Sequence, residues 1–337
     1  MPSDGSTNVV HHRPARARGR RAITGLAAGL LTLSLGLAAC GGDGDDGDGG
    51  SGGKTRAIVD ATGATVQVPV APKRVVVLNE TDLDSALALG VQPVGVTNGR
   101  FAKDVPGYLK SKLTGKYTVV GDLSTPVLEK VTQAQPDLIL AGFIPDKKVI
   151  EQLKKITPAT VLTTKMTEDW KATFTRTADV LGKQEQARTV LAAYDKRLAD
   201  VKGKLGSNKG AKVSIVRWNA TGPSYMLKDH FSSVVIKDLG LGRPAGQLTP
   251  AGVSPSDALS LENLKVLDGD WMFLGTLNPD ADAALAEAKK IPAFKNLGVT
   301  KAGHVVNVDG AIWTSRGGPA AAESVIADVE KALGSAK

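Results

Sequence analysis

The rhythm of apolar and polar positions changes at about Lys54. Beyond it, short β-branched runs alternate with longer stretches in which apolar residues recur every three or four places. The runs are RVVVL (74–78), PVGV (93–96), YTVV (117–120), DLILA (137–141) and TVLTT (160–164), then, after a gap, KVSIVRW (212–218), WMFLG (271–275) and HVVNV (304–308). Apolar runs of this length, lacking polar alternation, are strands covered on both faces, so the pattern predicts parallel sheets flanked by helices.

The gap spans residues 167 to about 205, contains no Pro and breaks once, at Leu181-Gly182, where Gly suits the position after a helix end. Thr167, followed by Glu168 and Asp169, has the form of an N-cap with acids in the first turn. From Gln184 onward Ala187, Leu191, Tyr194, Leu198, Val201 and Leu205 fall on one face of a helix. The chain therefore divides into an α/β lobe at 56–165, a linking helix at 166–206 and a second α/β lobe at 207–337. The competing reading, one larger domain with an ordinary surface helix, fits less well, because roughly 100 residues of αβ pattern on each side is a normal domain size.

Ahead of the folded part, Arg13, Arg16, Arg18, Arg20 and Arg21 precede an uncharged run from Ala22 to Ala39, the basic-then-apolar order of an export signal. Its end, Leu37-Ala38-Ala39-Cys40, resembles a bacterial lipobox, in which cleavage at 1–39 leaves Cys40 to carry lipid. Arg20-Arg21 leaves twin-arginine export open beside the general route. The competing reading is a membrane anchor, for which the Gly- and Ala-rich run is marginal. GGDGDDGDGGSGG (41–53) cannot bury a core, so 40–55 reads as a lipidated residue and an acidic flexible tether. The protein is thus expected outside the cytoplasm, anchored to the outer face of the cell membrane.

Charge and composition then remove whole classes. Residues 1–39 hold five Arg and one Asp, so their removal halves the formal charge from +8 to +4 and takes most of the case for nucleic acid with it. The lone cysteine excludes an internal disulfide framework and a Cys-rich metal module within one chain. After residue 39 only His230 and His304 remain, a poor supply for acid–base or metal chemistry. No GxSxG stands at a strand-to-helix turn, where a nucleophile elbow needs it, and there is no phosphate loop or HExxH. The glycines of GLGRPAG (240, 242 and 246) lack dinucleotide spacing and follow a helical run.

An exported, tethered chain of two α/β lobes without a catalytic constellation reads as a binding protein that holds its ligand between the lobes. Open α/β sheets bind ligands at the carboxyl ends of their strands, so residues just after each run are the candidates. They include Asn79, Glu80, Thr81, Arg100, Phe101 and Phe143 in the first lobe, and Arg217, Trp218, Trp313 and Arg316 in the second, with Tyr225 in a loop nearby. Arginines among aromatics suit a bulky ligand with delocalised or anionic groups. For each aromatic the alternative is core packing, and for each Arg a solvated or paired surface charge. Trp170 and Trp271 are assigned to packing.

RVVVLNETDLDSALALGVQPVGV (74–96), PVLEKVTQAQPDLILAG (126–142), LSLENLKVLDGDWMFL (259–274) and HVVNVDGAIWTSRGGPAAAESVIADV (304–329) together resemble the iron-siderophore substrate-binding lipoproteins of ABC importers, whose relatives bind cobalamin and haem. The resemblance covers about residues 56–332. It implies an α/β fold of two Rossmann-like lobes with parallel sheets, joined by a long rigid helix and closing only modestly. It implies a monomer, with no resident cofactor or protein-bound metal, that takes a ferric siderophore, of hydroxamate type, to an ABC permease dimer. Trp313 and Arg100 match positions where hydroxamate-binding relatives use an aromatic and an arginine. Phe143 stands where some relatives have a tyrosine. Glu129 and Glu262 match the docking carboxylates, one per lobe, that engage arginine pockets on the permease. On the residues alone, both acids also suit a helix N-terminus.

Two other readings stay open from the sequence. One is cobalamin or haem as the cargo, with His230 or a Tyr as axial ligand for haem. The other is a different class altogether, an exported hydrolase acting on the chelate or a lipoprotein with no transport role.

Overall fold

The computed structural model describes residues 54–334, so the basic leader, Cys40 and residues 41–53 of the tether lie outside the described part. The described chain opens with an antiparallel hairpin of β1 (Thr55–Val59) and β2 (Thr65–Pro69), which the apolar runs did not predict. Its inward residues Ile58, Val66 and Val68 alternate with exposed ones, the signature of a sheet wet on one side.

The first lobe follows as β3 (Val75–Val77), α1 (Glu80–Ala88), β4 (Gly95–Val96), α2 (Gly107–Lys110), β5 (Thr118–Val119), the two-residue pair β6 (Gly121–Asp122) and β7 (Thr125–Pro126), α3 (Leu128–Gln133), β8 (Leu138–Leu140), α4 (Lys147–Ile156) and β9 (Thr160–Val161). The five main strands lie parallel in the order β5-β4-β3-β8-β9. The order reverses between β3 and β8. Successive crossovers there leave to opposite faces of the sheet, opening a crevice at the carboxyl ends of those two strands.

The predicted linker is two helices, α5 (Trp170–Leu181) and α6 (Gln184–Lys204). Gly182 separates them in the left-handed region at φ 67°, as its place after Leu181 predicted. The N-cap is Asp169, whose side chain accepts from the Ala172 N–H at 3.0 Å, and not Thr167. Carboxylate geometry wins at that site, and the helix starts later than the Thr-Glu-Asp pattern implied. On α6, Ala187, Tyr194, Leu198 and Val201 are buried and Leu191 is half-buried, as the periodicity required. This helix runs along the second lobe, tied by Arg197 to Glu323 (2.9 Å) and Glu330 (2.6 Å). Trp170 packs edge-on against Tyr194 and Phe231.

The second lobe comprises β10 (Val213–Asn219), β11 (Gly222–Tyr225), α7 (Phe231–Asp238), β12 (Trp271–Gly275), α8 (Pro279–Ala288), α9 (Pro292–Lys295), α10 (Gly298–Lys301), β13 (Val305–Asn307), α11 (Gly310–Trp313) and α12 (Pro319–Leu333). Its order is β11-β10-β12-β13, parallel except for the edge strand β11. Tyr225 therefore lies in a strand opposite Val216, not in a loop.

One continuous core joins the lobes. Val75, Val77 and Leu83 of the first lobe belong to the same buried cluster as Ile215, Phe273 and Val325 of the second. At its centre Asp84 of α1, fully buried, accepts from the N–H groups of Gly318 (3.1 Å), Ala320 (2.8 Å) and Ala321 (3.0 Å). A side chain from one lobe thus caps the first turn of α12 in the other. Gly318 permits it, because a Cβ there would lie 2.9 Å from the Asp84 carboxyl carbon.

Removing that carboxylate leaves three helix-terminal N–H groups without partners. Asp84→Ala is expected to lower unfolding stability by about 3 kcal/mol, with Asp84→Asn losing roughly half as much. Urea denaturation of the two variants against the parent checks this.

Candidate functional site

The crevice predicted by the strand order is occupied by a cavity of about 110 Å³ lined by Asn79, Glu80, Thr81, Arg100, Leu123, Ser124, Phe143, Thr164, Met166 and Arg316. All but Met166, at the start of the linker, and Arg316 belong to the first lobe. Arg316 closes it from the second, two residues before the capped Gly318, and its guanidinium lies 3.5 Å from the Met166 carbonyl. A more open recess of about 390 Å³ adjoins, sharing Arg100 and Leu123 and including Phe101.

Local structure puts the charges there. Asn79 caps α1, accepting from the Asp82 N–H at 2.9 Å, so Glu80 becomes the first helical residue at the end of β3. Glu80 is only 6% exposed and one carboxylate oxygen accepts the Arg100 N–H. Burial raises its pKa against the pull of that N–H and of the Arg100 and Arg217 charges, while Asp309 adds to the rise. Arg217 is held by the Thr314 hydroxyl (3.0 Å) and the Thr314 carbonyl. Burial, and then the charge of Arg100, bring its pKa down to about 10. Burial and Arg100 likewise lower that of Arg316. Among the described residues, none of Arg100, Arg217 and Arg316 has a carboxylate within ion-pair distance, and Arg100 Nε is buried without a partner. The site is thus a cleft spanning both lobes in which arginines outnumber the one lining carboxylate, Glu80.

Of the residues singled out from sequence, Asn79, Glu80, Thr81, Arg100, Phe143 and Arg316 line the cavity, Phe101 lines the adjoining recess, and Arg217 lines neither, although its charge acts on Glu80. Phe101 is 72% exposed at φ 54° and Phe143 is 45% exposed, so both rings remain free to meet a ligand.

The remaining aromatics are corrected. Trp313 is fully buried, stacked on Phe273 with ring centres 4.2 Å apart, and donates to Asp328 at 2.8 Å. The loop reading of GAIWTSRGG hid a turn of helix, α11, that turns the indole inward. Trp218 neighbours Arg217 in β10, and strand alternation sends it to the opposite face, where it packs on Phe294. Tyr225 is 7% exposed in β11 and belongs to the same cluster. Trp271, assigned to packing, stacks on His304 at 4.1 Å.

Leu123, Ser124, Thr164 and Met166 were missed. Leu123, Ser124 and Met166 closely follow the runs YTVV and TVLTT and Thr164 ends the second, so the strand-end rule applied to those runs points to them. His230 is buried and caps α7, its Nδ1 3.1 Å from the Ser232 hydroxyl. Burial, then the charges of Arg217, Arg316 and Arg243, lower its pKa to about 3. A buried ring spent on a helix cap offers no axial ligand to haem. Among the described residues no cluster of three metal-ligating side chains occurs, and no helix is long and apolar enough to cross a membrane.

A family model described as "Periplasmic binding protein" matches residues 75–311. The chain is 31% identical over 287 residues to the Bacillus subtilis "Probable siderophore-binding lipoprotein YfiY", covering 82% of this chain and 87% of that one. It is 32% identical to the same organism's "Fe(3+)-citrate-binding protein YfmC", covering 82% and 85%. Among solved structures, Staphylococcus aureus SirA complexed with staphyloferrin B superposes with a TM-score of 0.73 at 27% identity, covering 83% of this chain and 98% of that one.

Because unfolded His takes up its proton near 6.5 and native His230 only near 3, the unfolded state binds more protons between those values. Stability is expected to fall as pH drops from about 6.5, and to fall less in His230→Asn, which keeps a capping acceptor. Thermal unfolding at pH 7 and pH 4.5 for both proteins measures the difference.

Proposed function

The chain belongs to the periplasmic binding protein family, and on that premise we propose that it captures an anionic ferric siderophore between its lobes and delivers it to an ABC permease. The observation that carries the reading is a cavity lined by Arg100 and Arg316, one from each lobe, whose only lining carboxylate is Glu80, with the charge of Arg217 acting on that same acid. A ligand bearing several negative oxygens satisfies both lining guanidinium groups at once, and those bonds are the strong, charge-assisted kind. Catecholate or hydroxycarboxylate chelates present such oxygens. A neutral or cationic hydroxamate complex does not compensate the charge, so the arginines shift the expectation away from hydroxamate. Relatives named for ferric citrate and for iron hydroxamate both occur at about 30% identity, so the ligand type rests on the arginines alone. Phe101 and Phe143 add aromatic faces at the rim. The iron is saturated by its own chelator, so no protein ligand to the metal is required.

Glu129 and Glu262 remain the docking candidates. Both are exposed, Glu129 in the first turn of α3 and Glu262 in the 3-10 turn Leu261–Leu267, and neither forms an ion pair among the described residues. One free carboxylate on each lobe is suited to fix the orientation of a two-subunit partner. A lipid on Cys40 and the acidic tether would keep the receptor at the membrane surface.

Tryptophan-fluorescence titration with ferric citrate, a ferric tris-catecholate, ferrioxamine, haem and cobalamin tests the cargo. One of the two anionic chelates is expected to bind at least about tenfold more tightly than ferrioxamine, with Arg100→Ala and Arg316→Ala each losing about tenfold or more. Preferred binding of ferrioxamine, haem or cobalamin, or no binding, overturns the reading. For docking, Glu129→Ala/Glu262→Ala is expected to keep chelate affinity unchanged while abolishing receptor-stimulated ATPase of the cognate permease in proteoliposomes. Full stimulation by the double variant removes the docking assignment.

A further inference from the structure

The anionic-chelate reading leaves one feature unexplained, a buried acid in a site built for an anion. Glu80 lines the cavity with Arg100 and Arg316, yet a fixed negative charge there opposes the ligand. Its two oxygens are in different situations. Oε1 accepts the Arg100 N–H and so holds the loop that carries Arg100. Oε2 makes no hydrogen bond among the described residues. A proton can therefore sit on Oε2 without disturbing the bond that positions Arg100.

The surroundings make that proton a question of occupancy. Without ligand, the Arg100 N–H and then the positive charges of Arg100 and Arg217 favour the carboxylate form of Glu80, against burial and Asp309. An anionic chelate seated on the same arginines neutralises that support, adds negative charge beside Oε2 and excludes water. All of these disfavour the carboxylate.

We propose that Glu80 is a removable counter-charge of the arginine cleft, protonated on Oε2 when the anionic chelate binds, so that capture is coupled to uptake of a proton and strengthens as the medium acidifies. The proton comes from solvent, and the chelate itself is unchanged. Glu80 acts here as a positioning and specificity-determining residue: it holds the Arg100 loop and occupies the cationic cleft until a ligand with enough negative charge replaces it.

Other groups that face Glu80 do not substitute for it. Arg217 of β10 stays charged, with its pKa near 10, and burial raises the phenol of Tyr108 in α2 far above the working range. His230, near 3, stays neutral. Asp84, one turn along α1, is enclosed by the N–H groups of α12. Asp309, at the start of α11, is exposed and serves as the control.

The test is titration calorimetry of the purified protein with ferric citrate and with a ferric tris-catecholate, between pH 5 and 7, in buffers of different ionisation enthalpy. For whichever chelate binds, the parent protein is expected to take up a fraction of a proton approaching one, with affinity rising up to tenfold per pH unit on acidification. Glu80→Gln keeps the Oε1 acceptor and is expected to bind with affinity close to the acid limit of the parent and without that uptake. Asp309→Asn should retain it. Proton titration of the chelate itself is common to all three proteins and cancels. Equal uptake in the parent and Glu80→Gln overturns this proposal while leaving the anionic cargo standing. Binding of neither chelate overturns both.

Discussion

The relative placement of the two lobes depends on a carboxylate from one lobe closing the end of a helix from the other. A helix start buried in protein must find acceptors for its first N–H groups, and α12 finds them in Asp84. Water cannot replace that acceptor inside the shared core, so separating the lobes at this point exposes both a charge and its donors. Arg316 immediately precedes the capped segment. The bond that fixes α12 therefore also sets how far Arg316 reaches toward Met166 and the first-lobe cavity.

Helix α1 carries the electrostatics of the whole arrangement. Its opening, Glu80, Asp82 and Asp84, places three acids in a helix whose first seven residues are buried. Glu80 and Asp84, four apart, share a face: one meets the cleft and the other meets α12. Asp82 points elsewhere and is held by Asn79 (2.6 Å), Thr163 (2.5 Å) and Thr177 (3.0 Å), which ties α1 to β9 and α5. Acids at a helix start are favoured by the peptide dipoles, which helps such a sequence fold at all. The result is a rigid, negatively lined element beneath a positively lined cleft.

The fold was largely legible because it rests on period. Eight apolar runs became eight strands, and the stripe from Ala187 to Leu205 became the buried face of α6 and the residue just past its end. The hairpin β1–β2 escaped because its alternation is short and wet on one side, and β11 because GPSY carries no apolar run at all. At the site, charge was more legible than aromaticity. Arg100 follows a strand, Arg217 lies near the end of β10 and Arg316 follows α11, and none can be buried cheaply, so their destinations were constrained. Trp218 and Trp313 are equally at home in a core, and only strand parity and the turn of α11 decide. Of the α1 acids only Glu80 stood out, by its place after a strand; Asp82 and Asp84 gave no signal, since NETDLD reads as an ordinary exposed helix start until tertiary packing buries it.

A single core running through both lobes also bears on how a large chelate is admitted. Val75 and Phe273 belong to one buried cluster, so a wide swing of the lobes would open apolar surface at the pivot, at roughly 25 cal/mol for each Å² exposed. The freedom left to the site lies at its rim instead, in Phe101, Phe143 and the unpaired guanidinium groups. Such a receptor recognises its ligand by charge already in place and by side chains that adjust. On the anionic-chelate proposal, the 110 Å³ cavity would seat negative oxygens and the adjoining recess beside Phe101 the body of the chelate.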